Sequence, residues 1–177
     1  MKNKITLEDH FAIPETLDDS RGFGEHVWAE LGPRLLDFQD KRLRSMDAAG
    51  IEMMIASLNA PAIQAISDTR RAIEVARIAN DALAEQVRKR PDRFVGVAAL
   101  PMKDAAAATA ELTRCVRDLG FRGALVNGFS QIGDKVEFYD TAGFNEFWAT
   151  VERLDVPFYL HPRNPLPSQS ALYEGHS

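Results

Sequence analysis

Glu8 and His10 stand two residues apart in a short alternating segment, and His161 closes an apolar run far along the chain. In an extended strand, residues two apart share a face, so Glu8 and His10 would project together. One carboxylate and two imidazoles form a donor set suited to a divalent metal. Imidazole suits zinc, iron or manganese, and the carboxylate compensates charge. A catalytic site of this kind keeps three protein ligands and an open position for water or substrate. The competing reading is a strand-end histidine hydrogen-bonded to a neighbouring carboxylate. Asn127 ends another apolar run but precedes Gly128, and that pair also reads as plain turn chemistry. Phe23 is either a substrate wall or loop packing. Arg163 and Asn164 either hold an anion or solvate a loop. Cys115 lies on a helical stripe and reads as a small core residue, not a nucleophile. The chain carries no serine-centred elbow, phosphate loop or dinucleotide fingerprint.

These residues need elements to position them. Short apolar runs predict strands over 5–9, 52–58, 94–100, 123–126 and 156–160, and near-continuous runs suit strands buried on both faces of a parallel sheet. Four helical stripes lie between them. Leu35, Phe38, Leu43 and Met46 precede Gly50, a plausible stop. Ile73, Ala76, Asn80, Leu83 and Val87 form the second stripe. Ala108, Leu112, Cys115, Val116 and Leu119 form the third, with Asp104 as N-cap and Gly120 as terminator. Phe144, Phe147, Trp148, Val151 and Leu154 form the fourth. The segment 14–33 reads as a long loop. If Thr6 shares the inner face with Glu8 and His10, then Ile5 and Leu7 pack outward.

Alternating strands and helices imply right-handed crossovers and a parallel sheet. Ligands bind such sheets at the carboxyl ends of their strands, where Glu8, His10, Ser57, Asn59, Asn127, Tyr159 and His161 would converge. A (β/α)₈ barrel takes ~250 residues, so 177 residues with five strands and four helices fit the N-terminal part of one. A five-stranded doubly wound sheet is the competing architecture.

Composition narrows the partners. With 45% hydrophobic and 27% charged residues the chain is globular and not disordered. A net charge of -5 offers no electrostatic footprint for nucleic acid or an anionic membrane. One cysteine excludes an internal disulfide framework. Charge at Lys2 and Lys4, with no long apolar run, predicts a soluble cytoplasmic protein.

Longer motifs carry a resemblance. Leu7-Glu8-Asp9-His10-Phe11, Ser57-Leu58-Asn59-Ala60-Pro61, Ala79-Asn80-Asp81 and Arg90-Pro91-Asp92-Arg93-Phe94 are four of them. Gly123 to Ser130 and Phe158 to Pro165 are two more. Together they resemble the metal-dependent hydroxybenzoate decarboxylases of the amidohydrolase superfamily along the whole chain. The resemblance implies a (β/α)₈ barrel, a zinc or manganese cofactor, an aromatic carboxylic acid substrate and a homo-oligomer. It makes Glu8, His10 and His161 metal ligands, and places Asn127 and Phe23 against the substrate. The implied reaction is non-oxidative decarboxylation of a dihydroxybenzoate of the γ-resorcylate or 2,3-dihydroxybenzoate type. A metal-dependent hydrolase of the superfamily and a non-catalytic association module are the alternatives. In the family a histidine after strand six and a proton-donating aspartate on strand eight complete the site. The sequence stops before either. It therefore reads as one partial barrel domain over 1–177, with no catalytic acid assigned within it and little activity expected from the chain alone.

Overall fold

A computed structural model describes residues 3–19, 25–132, 135–164 and Gly175. The chain begins with β1 (Lys4–Phe11), α1 (Glu25–Leu36), α2 (Lys41–Ala49) and β2 (Ile51–Leu58). It continues with α3 (Thr69–Lys89), β3 (Phe94–Gly96), α4 (Ala105–Arg117) and β4 (Ala124–Asn127). A hairpin of β5 (Ser130–Ile132) and β6 (Lys135–Glu137) precedes α5 (Asn145–Leu154) and β7 (Phe158–His161).

Strand order decides between the two architectures. β1, β2 and β3 pair in parallel, as do β4 and β7. A parallel bridge at Ala98 and Ala124 joins the two sets. There Ala98 N donates to Gly123 O at 2.8 Å and Leu125 N to Ala98 O at 3.0 Å. Each strand of the row β1-β2-β3-β4-β7 thus lies beside its predecessor. A doubly wound sheet reverses its order at a switch point, and this row does not reverse.

The row also curls. Five strands in a flat sheet would set the first and last about 19 Å apart, at ~4.8 Å per step. Instead the rings of His10 on β1 and His161 on β7 lie 5.0 Å apart, centroid to centroid. The strands therefore form an arc of a barrel, with one concave and one convex face.

The convex face carries the core. Met54, Ala56 and Leu58 of β2 are buried with Ala76, Ala79 and Leu83 of α3 and with Leu112 and Cys115 of α4. Asp68 and Asp104 cap α3 and α4, accepting from Arg71 N at 2.7 Å and Ala107 N at 2.9 Å. Gly50 ends α2 in the left-handed region with φ 68°, where glycine is strain-free. Close packing is set where β3 meets the β4 approach. A Cβ on Gly96 would stand 2.6 Å from the Phe121 ring.

Several sequence expectations change. The apolar stripe 35–46 is not one helix. Leu35 belongs to α1, Phe38 to a link, and Leu43 and Met46 to α2, although all four are buried. Asp37 makes the break by accepting from Arg42 N at 2.7 Å. The long loop contains α1, with Pro33 inside it. The β5–β6 hairpin has strands too short to show any period.

The largest correction concerns β1. Thr6 pairs with Met54 and Asp9 with Ala56, so three steps on β1 match two on β2. This is a β-bulge, and Glu8 within it has φ 63°. Ile5 pairs with Met53 ahead of the bulge, and His10 with Ser57 after it. Leu7 and Glu8 both line the concave face beside Ile55, Ser57, Val97 and Tyr159. Thr6 is therefore paired with the convex-face row, and Ile5 and Leu7 stay 69% and 57% exposed and do not pack outward.

A buried polar cluster fastens α3 to α4 and to the chain after β3. Asn80 exchanges hydrogen bonds with both backbone groups of Ala99, at 2.9 Å each, and donates to Glu111 at 2.8 Å. Arg114 grips Glu111 with two donors at 2.9 and 2.7 Å. Burial alone would raise the Glu111 carboxyl, but the donors of Arg114 and Asn80 outweigh it and hold the group below its usual range.

Two outcomes are expected. Glu111→Gln should cost about 1–3 kcal/mol near neutral pH, because buried donors lose a charged acceptor. A carboxyl depressed in the fold stabilises above its unfolded value of 4.5 and loses that contribution as pH falls below it. The gap between wild type and variant in urea melts should therefore close on acidification. Second, the 177-residue chain should bind a hydrophobic dye and sediment above monomer mass, since Ile5, Leu7 and Leu160 are exposed on strands whose outer edges pair with no strand among the described residues. A dye-silent monomer would contradict this.

Candidate active site and metal centre

The carboxyl ends of β1, β2, β4 and β7 meet at one mouth of the arc. His10 and Ser57 are register partners on β1 and β2, and Asn127 and His161 are partners on β4 and β7. Ser57 Oγ lies 3.0 Å from His10 Nδ1. The hydroxyl of Tyr159, two residues before His161, donates to the Glu8 carboxylate across the arc. That bond raises the phenol above its usual range. Burial and then the neighbouring His161 depress the His10 imidazole, and Glu8 opposes them only in part. His10 is therefore held toward its neutral form, the form that binds metals.

Glu8 and His10 share the inner face as their spacing predicts, although Glu8 itself lies within the bulge. His161 joins them, and its buried Nδ1 has no hydrogen-bond partner. An orphaned imidazole nitrogen, a second imidazole in ring contact and a carboxylate on the same face fit a divalent cation in donor chemistry. The three groups do not converge, however. Among the described residues no three histidine, cysteine, aspartate or glutamate side chains stand close enough to hold a metal ion. The structure pairs the rings of His10 and His161 and turns the Glu8 carboxylate to Tyr159. The phenol is a donor within reach, and the carboxylate takes it.

Asn127 is 3% exposed. Its Nδ2 donates to Pro61 O at 3.4 Å and its backbone N to Gln64 Oε1 at 3.2 Å. Its Oδ1 is buried without a partner. Turn chemistry is real beside it, since Gly128 has φ 58°. Arg163 lies against that glycine, donates to Phe129 O at 2.9 Å and stacks 4.4 Å over the Phe129 ring. Arg163 and Asn164, with Asp19, Pro61 and His161, line a cavity of about 400 Å³ beyond the strand ends. A cleft of about 510 Å³ runs along β1 between Glu8, His10 and the helices α1 and α2. The cleft holds Glu8 and His10, the cavity beyond the strand ends holds His161, and Asn127 lines neither, so the mouth groups border two separate spaces.

Other expectations fall differently. Asn59 does not reach the mouth. It binds the loop after β1 through Thr16, donating to Thr16 O at 2.8 Å and accepting from Thr16 Oγ1 at 2.9 Å. Cys115 is buried, and burial pushes its thiol up, as befits a core residue. Phe23 lies outside the described residues. Two positioning residues escaped the sequence reading. Gln64 bridges Leu100 O at 2.8 Å to Asn127 N. Arg42 donates to the carbonyls of His10, Arg34 and Asp37 at 2.9, 3.0 and 2.7 Å. Gln64 and the His10 contact of Arg42 join positions far apart in sequence.

The geometry meets its relatives here. The amidohydrolase family matches residues 23–174, and the chain belongs to that family. It is 64% identical over 180 residues to the γ-resorcylate decarboxylase of Rhizobium sp. (strain MTP-10005), covering 99% of this chain and 55% of that protein. The γ-resorcylate decarboxylase of Rhodococcus jostii (strain RHA1) is 61% identical over 182 residues, with 99% and 55% covered. A crystal structure of 2,6-dihydroxybenzoate decarboxylase with 2,6-dihydroxybenzoate superposes with a TM-score of 0.95 at 64% identity, over 99% of this chain and 55% of that one. The dihydroxybenzoic acid decarboxylase of Polaromonas sp. JS666, with manganese and 2-nitroresorcinol bound, gives 0.95 at 61%, over 99% and 54%. The chain thus spans about half the length of the curated relatives it matches. The fold is the N-terminal strand-and-helix arc of their barrel. No described helix is long and apolar enough to cross a membrane.

Gly128→Ala tests the mouth. Its Cβ would stand 2.6 Å from Arg163 Cγ at a backbone φ of 58°. Strain and displacement together should cost about 1–3 kcal/mol, read as a lower urea midpoint. A neutral substitution would mean that the Arg163 stack is loose.

Proposed function

We propose that the protein containing this chain decarboxylates a dihydroxybenzoate of the γ-resorcylate type, without oxidation and with a divalent metal. Identity of 64% to a γ-resorcylate decarboxylase along 99% of the chain carries the reading. Glu8, His10 and His161 would hold the cation, with Glu8 leaving the Tyr159 hydroxyl to do so. When bound, the cation supplies charge neutralisation to the substrate carboxylate and the adjacent phenolate oxygen. Asn127 binds the ring. Its Nδ2 is tied to Pro61 O, so its orphaned Oδ1 is the acceptor for a ring hydroxyl. A buried acceptor that gains such a donor regains about 1–3 kcal/mol of desolvation. Phe23 is proposed against the substrate ring, where it would exclude water.

The ortho hydroxyl lets the ring take a proton at the carboxyl-bearing carbon; the electrons of the C–C bond then return to the ring as carbon dioxide leaves. The proton donor, by family resemblance, is an aspartate on a later strand, so the 177 residues alone are expected to turn over little substrate. The same reading takes manganese, or zinc, as the metal, a homo-oligomeric assembly and a cytoplasmic location. Manganese has the support of the Polaromonas structure.

The test uses the manganese-loaded protein with 2,6-dihydroxybenzoate, and chromatography of the products. Resorcinol and carbon dioxide are expected. Asn127→Ala should raise KM about tenfold, the equivalent of one buried hydrogen bond, while His10→Ala or His161→Ala should abolish manganese binding. Hydrolysis of a ring amide or lactone without decarboxylation would overturn the reaction, and undiminished manganese binding in both histidine variants would overturn the site.

A further inference from the structure

We propose that Ser57 is a positioning residue that sets the tautomer of His10, so that Nε2 carries the lone pair toward the metal; this rests on the metal reading above. Ser57 is 1% exposed, and its Oγ is 3.0 Å from His10 Nδ1. The two residues are register partners, so two parallel strands fix the contact and no loop is involved. A neutral imidazole has one protonated nitrogen and one lone pair. With Nδ1 committed to Ser57, Nε2 is the nitrogen left for a ligand. Two arrangements of the bond are possible. If the serine donates to Nδ1, Nε2 bears the proton and cannot ligate. If the serine accepts from Nδ1–H, Nε2 is ready. Metal-binding histidines characteristically donate their second nitrogen to such an outer partner.

On the concave face Ser57 lies among the apolar side chains of Leu7, Ile55, Val97 and Leu125 and the Glu8–Tyr159 pair. A buried hydroxyl costs free energy unless it is hydrogen-bonded, and the described partner is the imidazole. Arg42 complements it from the backbone side by binding the His10 carbonyl at 2.9 Å. Ser57 thus orients the ring and selects its proton, while Arg42 holds the strand.

The experiment is long-range proton–nitrogen NMR on the metal-free protein containing this chain, labelled with ¹⁵N-histidine, His10 being assigned through His10→Gln. Wild type should show the Nδ1–H tautomer. Ser57→Ala should move toward Nε2–H, the form histidine favours in water, and Ser57→Thr, which keeps the hydroxyl, should restore Nδ1–H. Zinc titration should then show affinity falling roughly 10–100-fold in Ser57→Ala and recovering in Ser57→Thr. An Nε2–H wild type, or a tautomer unmoved by Ser57→Ala, overturns the proposal, and the wild-type spectrum decides even if the alanine variant fails to fold. A wild type whose zinc titration matches that of His10→Gln overturns the metal reading instead, while the tautomer still reports on Ser57.

Discussion

The meeting of β1 and β7 across the concave face is the constraint on which the rest depends. Glu8 reaches Tyr159 and the His10 ring lies 5.0 Å from His161. Side chains from the first and last strands of a five-strand row touch only if the row curls. Two local features permit the curl. The bulge before Asp9 gives β1 an extra residue, and bulges increase twist and bend strands. Gly96 and Gly123 remove side chains where the Phe121 ring and the Pro157 carbonyl come within 2.6 Å of a notional Cβ. A β-carbon on Gly96 would push β3 from the approach to β4, and one on Gly123 would push β4, which carries Asn127, from β7, which carries His161.

Much of this was legible in the sequence. The five parallel strands follow from short apolar runs, and the caps at Asp68 and Asp104 follow from residue type. Parity placed Glu8 beside His10 correctly, but the same parity carried back to Thr6 failed. A bulge resets the period of two, and its sign is a positive φ at a glutamate, a conformation that residue type does not announce. The hairpin after β4 and the break between α1 and α2 were hidden for a related reason. Three-residue strands have no period, and the break depends on Asp37 accepting from Arg42 N, a contact indistinguishable in sequence from a helical i, i+5 neighbour.

Charge and polarity inside the fold fall into two groups that the sequence could not separate. Asn59, Gln64 and Asn80 are buried amides with partners on both sides of the amide, and each fastens a loop to a strand end or a helix to the segment after β3. Asn127 is the same residue type with a similar degree of burial, yet its Oδ1 is unpartnered. The motif-level reading treated Asn59 and Asn127 alike as groups at the mouth. Only the count of satisfied atoms distinguishes them, and that count depends on Thr16 and Pro61, which no spacing rule connects to either.

That distinction also explains why the site gathers at this end. An orphaned buried acceptor or imidazole nitrogen costs about 1–3 kcal/mol, a sizeable share of the ~5–15 kcal/mol that holds a domain together. Asn127 Oδ1 and His161 Nδ1 both carry that cost, and they belong to register partners on adjacent strands. Thr6 Oγ1, Asp9 Oδ2 and Arg163 Nε are buried without partners too, but only Asn127 and His161 among these five are register partners at the strand ends. A hydroxylated aromatic carboxylate would supply the donor Asn127 lacks, and a cation would use the lone pair of His161. The strain at Glu8, the serine behind His10 and the glutamine behind Asn127 all direct groups toward the same mouth, where the proposed cation and ring hydroxyl would supply the partners that His161 and Asn127 lack.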